Sequence, residues 1–403
     1  MRGNVAQADA ITLVRRGREE RLFLTTFSFG HFANDWTAGS ILLLTPAIAV
    51  GMDLTPAEVG LLITLMGIGG GLAYLPAGLA ADYTRSRGLL LLMTFWWVAI
   101  GFFIASLAPG YWWLVILLAI AVMGAAAWHP IATGVLTQKM PDRRARALGI
   151  HAMGGTIGAE TVAPLAVGFL LVWFDWRTVL QISVLPPLVM GVLFIPMVRR
   201  IGPSPDHRFD LEDFMALLRR WRSPIGFGLV GFAVIYSMAA FAALAMTPLY
   251  LYTVLGLSTL QTGAAFALMV VGGSVLQPFV GHASDRMGRK LLLVAVLGIA
   301  GVFGILASCL DQLWPFVLSL TITVALLTAI RPVVLAAAVD VSGERESTTL
   351  GMAFTFMEGI GALGAVIAGV AGSRDLGQAF LMAGALAVAA SAIAYFLPFR
   401  RAA

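Results

Sequence analysis

Gly281–Lys290 reads GHASDRMGRK, a charged, glycine-punctuated turn set between two long apolar runs. A Gly-x-x-x-Asp opens it and Gly288-Arg289-Lys290 closes it. A degraded copy, GLAADYTRSR (Gly78–Arg87), stands 203 positions earlier, so that Gly78 matches Gly281 and Asp82 matches Asp285. The chain has 403 residues, and a spacing of half its length is the mark of a sequence duplicated end to end. The flanks agree. Leu54, Thr55, Glu58 and Gly60 return at the same spacing as Leu257, Ser258, Gln261 and Gly263. Each set is a capping box, a hydroxyl at the N-cap with Glu or Gln three residues on, and each predicts a helix start. Further along, Pro130, Leu148 and Gly149 match Pro332, Leu350 and Gly351 at a spacing of 202, so one deletion separates the two blocks. A repeat in register over so much of the chain implies two homologous halves.

Composition gives the solvent. Hydrophobic residues make up 59% of the chain and charged ones 12%, with a mean hydropathy of +0.90. A soluble domain carries roughly 25% charged residues, so the chain reads as an integral membrane protein. Its apolar runs exceed the ~10-residue alternation of a transmembrane barrel and suit helices. They lie at 22–50, 57–80, 88–108, 111–138, 148–173 and 177–198, then at 225–255, 260–283, 291–310, 313–338, 349–372 and 376–398. The expected fold is all-α, with twelve transmembrane helices in two pseudo-symmetric bundles of six. A basic segment (1–21) precedes the first bundle (22–198). A polar stretch (199–224) with an amphipathic portion from Asp210 to Trp221 links it to the second (225–403). No cleavable signal peptide is expected.

Of the 26 Lys and Arg, all but Arg177, Arg331 and Arg374 fall at the termini or in alternate turns. By the positive-inside rule both ends are expected in the cytoplasm, with the chain spanning the cell (inner) membrane. The net charge of +5 is thus topology, and no nucleic-acid partner is expected. Cys309 is the lone cysteine, which excludes an internal disulfide. A Gly-x-x-x-x-Gly-Lys-Ser/Thr loop is missing, so ATP is not the expected energy source. Neither metal-ligand spacing nor a nucleophile–base pair stands out, so no cofactor, metal or enzymatic activity is expected.

Twelve helices, the internal repeat and the turn motif resemble the major facilitator superfamily. So does Asp175-Trp176-Arg177 at the start of the sixth helix. Within that superfamily, Gly30-His31-Phe32-Ala33-Asn34-Asp35, Trp128-His129-Pro130, and Gly154-Gly155 followed by Pro164 resemble the fosmidomycin-resistance branch of drug exporters. The resemblance implies a secondary transporter acting as a monomer on a small molecule, with a central cavity lined by helices 1, 4, 7 and 10. It also implies that the turn residues (Gly78, Asp82, Asp285, Gly288, Arg289 and Lys290) latch the halves together on the cytoplasmic side. Ordinary positive-inside charge is the plainer reading of that turn.

Charges inside the bilayer are costly and call for reasons. Asp35 lies mid-way along helix 1, with His31 one turn earlier on the same face and Asn34 beside it. The pair is expected to load and release a proton, or else only to fix helix packing. His129 precedes Pro130 in helix 4, and Arg331 precedes Pro332 at the equivalent place in helix 10. Asn34, Asp35, His129 and Arg331 are the expected substrate contacts, with Tyr236, Phe241 and Tyr250 of helix 7. Arg331 suits a phosphonate, phosphate or carboxylate; its other reading is an internal pair with Asp35 or Glu358. Glu160 in helix 5 and Glu358 in helix 11 are further proton candidates, whereas His151 and His282 read as interfacial. The expectation is proton-coupled export of a small organic compound. Import of an organic anion is the alternative, and a non-transporting sensor a more distant one.

Overall fold

In the computed structural model, backbone is described for all residues except 1, 85, 141–143, 203–214, 216–218, 220, 311, 343–350 and 400–403. Side chains of 2–17, 82–83, 144–146 and 338–342 are also outside the description. Twelve helices long and apolar enough to cross a membrane follow one another, with no strand among the described residues. The first six are α1 (Arg18–Met52), α2 (Pro56–Ala81), α3 (Arg87–Ser106), α4 (Tyr111–Lys139), α5 (Ala147–Leu170) and α6 (Trp176–Val198). The second six are α7 (Pro224–Thr253), α8 (Thr259–Met287), α9 (Arg289–Ala307), α10 (Leu313–Ala337), α11 (Gly351–Ala371) and α12 (Gln378–Phe396). They fall within a few residues of the apolar runs. The helix containing α1 begins at Arg2, so the basic N-terminal segment enters the first span without a break. Most of the expected polar linker lies outside the described residues.

Both capping boxes form. The Thr55 hydroxyl accepts from the Glu58 amide while the Glu58 carboxylate accepts from the Thr55 amide; Ser258 and Gln261 repeat the pattern at α8. Reciprocal pairing of this kind satisfies two of the orphan amides that every helix start exposes. Asp175 caps α6 by accepting from the hydroxyl and amide of Thr178 and the amide of Arg177. Those hydrogen bonds, the Thr178 hydroxyl first, hold its carboxyl below the ordinary carboxylate range. The Arg177 guanidinium donates to the Ser106 carbonyl at 2.7 Å and tethers α6 to the end of α3. Gly288 ends α8 at φ 90°, a conformation that only glycine takes freely, which explains the glycine of the turn motif.

Within the first bundle a ring cluster of Phe27, Phe95, Trp128 and Phe194 ties α1, α3, α4 and α6 together. The two bundles meet chiefly through α2 against α11 and α5 against α8. Along these seams small residues let backbones touch: a side chain at Gly71 would run into Gly359, and one at Gly168 into Thr259 and Gly263. The Thr64 hydroxyl donates across the seam to the Ala362 carbonyl at 2.7 Å and accepts from the Val366 amide. Gly369 against Pro56 and Gly263 against Pro164 close the end remote from the charged turns. At the other end Gly149, Gly281 and Gly351 have open space beside them among the described residues.

Two interruptions shape the interior. Residues Thr156–Val162 of α5 and Thr355–Ile360 of α11 are π-helical turns, and they hold Glu160 and Glu358 respectively. Such wide turns concentrate at functional sites, because the extra residue re-aims the side chains around it. In α10 the helix breaks at Ile330, so that Arg331 and Pro332 begin a fresh segment. Pro130 is instead absorbed inside a continuous α4.

Candidate functional site

Between the bundles lies a cavity of about 310 Å³, the size of a site for a small organic molecule. Asp35 (α1), His129 (α4), Glu160 (α5), Arg331 (α10) and Glu358 (α11) line it, together with Tyr74, Tyr236 and Phe241. Most of the remaining wall is aliphatic or glycine.

Asp35 is the centre of a hydrogen-bonded cluster. The i, i+4 spacing brings His31 Nε2 to 3.0 Å from Asp35 Oδ2, and α4 brings His129 Nε2 to 3.6 Å from Oδ1. Asn34 donates to Oδ1 at 3.2 Å and to the Ala125 carbonyl at 3.0 Å. His31 Nδ1 sits 2.8 Å from the His151 carbonyl oxygen. A carbonyl only accepts, so Nδ1 carries a hydrogen. In a neutral imidazole Nε2 is then a bare acceptor, which would face a carboxylate oxygen at hydrogen-bond distance. The short contact is satisfied only if one further proton lies between the two groups, as imidazolium with carboxylate or imidazole with carboxylic acid. The geometry thus suits a proton held between His31 and Asp35.

The His31 ring is fixed from three sides. It stacks on the His151 ring at 4.3 Å and meets the His129 ring edge-on at 4.9 Å. Gly155 supplies the third side: a Cβ there would stand 2.4 Å from His31 Nε2. The Gly154-Gly155 pair is thus the space into which His31 fits, with Gly154 packed on the Ser28 backbone. Ligand atoms of His31, Asp35 and His129 lie within 4.8 Å of one another, a convergence that linear spacing did not reveal because two helices supply it. By distance a cation could bridge the three, in competition with the hydrogen bonds that His31 and Asn34 make to Asp35.

Arg331 is paired. Its guanidinium donates to Glu358 Oε1 at 2.8 Å, the internal ion pair that was one of its two expected readings. Glu160 accepts a hydrogen bond from the Ser274 hydroxyl of α8 at 3.0 Å, a contact that crosses from one bundle to the other.

Several residues stand elsewhere than expected. Asn34 is fully buried behind Asp35. Tyr250 stacks on Phe316 at 4.4 Å and meets Phe380 edge-on, inside the second bundle. Tyr236 does line the cavity, its hydroxyl donating to the Leu327 carbonyl, and Phe241 lines it too. His151 is not interfacial: it is 3% exposed, with Nδ1 donating to the Phe27 carbonyl and Nε2 without a hydrogen-bond partner among the described residues. Sequence reading also missed Tyr74, whose ring lies between those of His129 and Phe354, and Ser274. In the turn motif Asp285 is 71% exposed and reaches Arg289, within its own turn, at 3.5 Å. Lys290 lies over the Tyr395 ring. Gly78 packs near Pro130, and the Asp82 side chain is outside the description.

Comparisons with known proteins carry the same architecture. The family model of the Major Facilitator Superfamily matches residues 27–361 and 229–403. The chain is 24% identical over 383 residues to the fosmidomycin resistance protein of Escherichia coli, covering 90% of this chain and 89% of that one. It is 26% identical over 261 residues to a candidate metabolite transport protein of Haemophilus influenzae, covering 60% of this chain and 62% of that protein's length. Among solved structures, a bacterial homologue of the human lysosomal transporter Spinster, inward-facing and unoccupied, superposes with a TM-score of 0.77. Identity there is 18%, over 94% of this chain and 96% of the other. A variant of the nucleoside transporter NupG gives 0.78 at 14% identity, over 93% and 100%. At these identities the two structures speak for the fold alone.

Proposed function

Because the chain belongs to the Major Facilitator Superfamily, a family of transporters rather than enzymes, we propose that it is a proton-coupled secondary transporter that exports a small organic compound by alternating access. The observation that carries the coupling is the 3.0 Å contact of His31 Nε2 with Asp35 Oδ2, which a proton between the two groups would satisfy, at the wall of a cavity between two bundles. A site that gains or loses one proton changes the charge of the cavity, and a charge change biases two facing states differently. His129 stands 3.6 Å from the same carboxylate and, by taking up a proton itself, would offset the carboxylate's charge when the shared proton leaves. Asn34 positions Asp35 from behind. Glu160 and Glu358 are the further acids along the path.

In this reading the charged turns and both termini face the cytoplasm of an inner membrane. The cavity is then closed on the outer side, where Gly369 meets Pro56 and Gly263 meets Pro164. Opening it outward requires the cytoplasmic ends to close. Asp82 and the Gly288-Arg289-Lys290 turn would then latch them, with Asp285 turning from Arg289 to a helix end of the other bundle. Export of a toxic compound accords with the resistance function named for the Escherichia coli relative. Import of an organic anion at Arg331 is the weaker reading, since Glu358 already supplies the counter-charge.

The test is proton movement in proteoliposomes under an imposed pH gradient. Asp35→Asn should abolish substrate-linked proton flux while leaving the protein folded. Normal flux in that variant would overturn the assignment of the coupling site.

A further inference from the structure

We propose that Glu160 is a recognition carboxylate for a positively charged ligand, so that the cavity takes a small organic cation, an amine or quaternary ammonium on an apolar body. This rests on reading the cavity as the transport path, and it gives Glu160 a task other than carrying the coupling proton.

The argument is a charge inventory of the wall. Three carboxylates line the cavity, Asp35, Glu160 and Glu358, against one guanidinium, that of Arg331. Two of the acids have cationic or cation-capable partners at close range. Glu358 takes the guanidinium at 2.8 Å, and Asp35 takes His31 at 3.0 Å with His129 behind it. Glu160 has only a neutral hydroxyl, that of Ser274 at 3.0 Å, as its hydrogen-bond partner among the described residues. The field of Arg331 reaches it, but the guanidinium itself is directed to Glu358. A carboxylate set in an apolar wall with one neutral donor is under-compensated, and a ligand that brings a positive charge relieves it. The rest of the lining suits such a ligand. Tyr74, Tyr236 and Phe241 offer ring faces in the same cavity, which attract organic cations, and the aliphatic wall takes an apolar body.

The location of Glu160 gives its occupancy a consequence. Its hydrogen bond to Ser274 joins α5 of the first bundle to α8 of the second. A cation that draws the carboxylate toward the cavity competes with Ser274, and so loosens a link between the two moving parts. Glu358 has no such leverage, because its partner Arg331 belongs to its own bundle.

Binding tests this without transport. The purified full-length protein in detergent is titrated by calorimetry with phenyltrimethylammonium and, separately, with phenylphosphonate, an anion of similar bulk. The expected result is saturable binding of the cation and binding of the anion at least about tenfold weaker. Glu160→Gln should weaken the cation by about tenfold or more, and Glu160→Asp should retain most of the affinity. Equal or tighter binding of phenylphosphonate, no saturable binding of the cation, or an unchanged affinity in Glu160→Gln would overturn the proposal. Should Glu160→Gln not fold, the two ligands on the unmutated protein still decide. A protein that binds the cation yet moves no protons keeps this inference and refutes the coupling; proton flux driven by anions alone does the reverse.

Discussion

Replacing Gly155 by alanine places a methyl group where the structure leaves room only for an imidazole. The new Cβ would lie 2.4 Å from His31 Nε2, 2.5 Å from Cε1 and 2.7 Å from Cδ2. Ordinary carbon contacts begin near 3.5 Å, so the ring must retreat by about 1 Å. Retreat stretches the 3.0 Å contact to Asp35 or the 2.8 Å bond to the His151 carbonyl, since both come from the same rigid ring. A charge-assisted hydrogen bond contributes about 1.5–3 kcal/mol, and overpacking a filled site costs about 1–3 kcal/mol. Gly155→Ala should therefore fold with a lowered melting temperature in detergent and lose most substrate-linked proton flux. The double variant with His31→Ala removes the obstruction. Its stability should exceed the sum of the two single effects, an interaction energy of at least about 1 kcal/mol in a double-mutant cycle. Additivity within about 0.5 kcal/mol, or normal coupling in Gly155→Ala, would refute the docking of His31 on Gly155.

Two further outcomes follow from other contacts. Arg331→Ala strands the Glu358 carboxylate; stranding one member of a buried pair costs about 3–5 kcal/mol, reduced here to about 1–3 because the Arg331 side chain is 40% exposed. Unfolding curves should show the double variant Arg331→Ala/Glu358→Gln recovering much of that loss, and a double variant no better than the single would deny that the two act as a pair. Asp175→Ala should cost about 0.5–2 kcal/mol through loss of the α6 cap, measured by thermal unfolding. Because the folded carboxyl is held below its ordinary value of 3.8, its contribution is present above that pH and is lost as pH falls below it. The difference between wild type and Asp175→Ala should therefore shrink in acid, and a constant difference down to about pH 3 would contradict the cap.

The twelve spans were legible because burial in lipid imposes one requirement, length with apolarity, that hydropathy states directly. The capping boxes at Thr55 and Ser258 were legible because two local side chains determine each of them. The site was legible only where helical spacing or the repeat did the work. His31 and Asp35 meet because they are four residues apart, and Arg331 was placed by its match to His129. Partners contributed by other helices were not legible: His151, Tyr74 and Ser274 reach the site through packing that no linear spacing encodes. Tyr250 was misplaced for a related reason. α7 is apolar on every side, so no stripe says which of its faces meets the cavity and which meets Phe316.

Glu160 and Glu358 stand on π-helical turns of equivalent helices, α5 and α11, but at the repeat spacing of 202 Glu160 matches Ala362 and Glu358 matches Thr156, so the two acids are not copies of one another. Their partners differ as well. Glu358 closes on a guanidinium from its own bundle and, under the alternating access proposed above, would travel with it as a neutral unit. Glu160 reaches across to a hydroxyl of the opposite bundle, so its hydrogen bond must change whenever α5 and α8 slide. A charge whose compensation depends on the relative position of two bodies has a different energy in each facing state, whereas one compensated within a body does not. Of the two acids, Glu160 is therefore the one at which the organic cation proposed above would shift the balance between facing states.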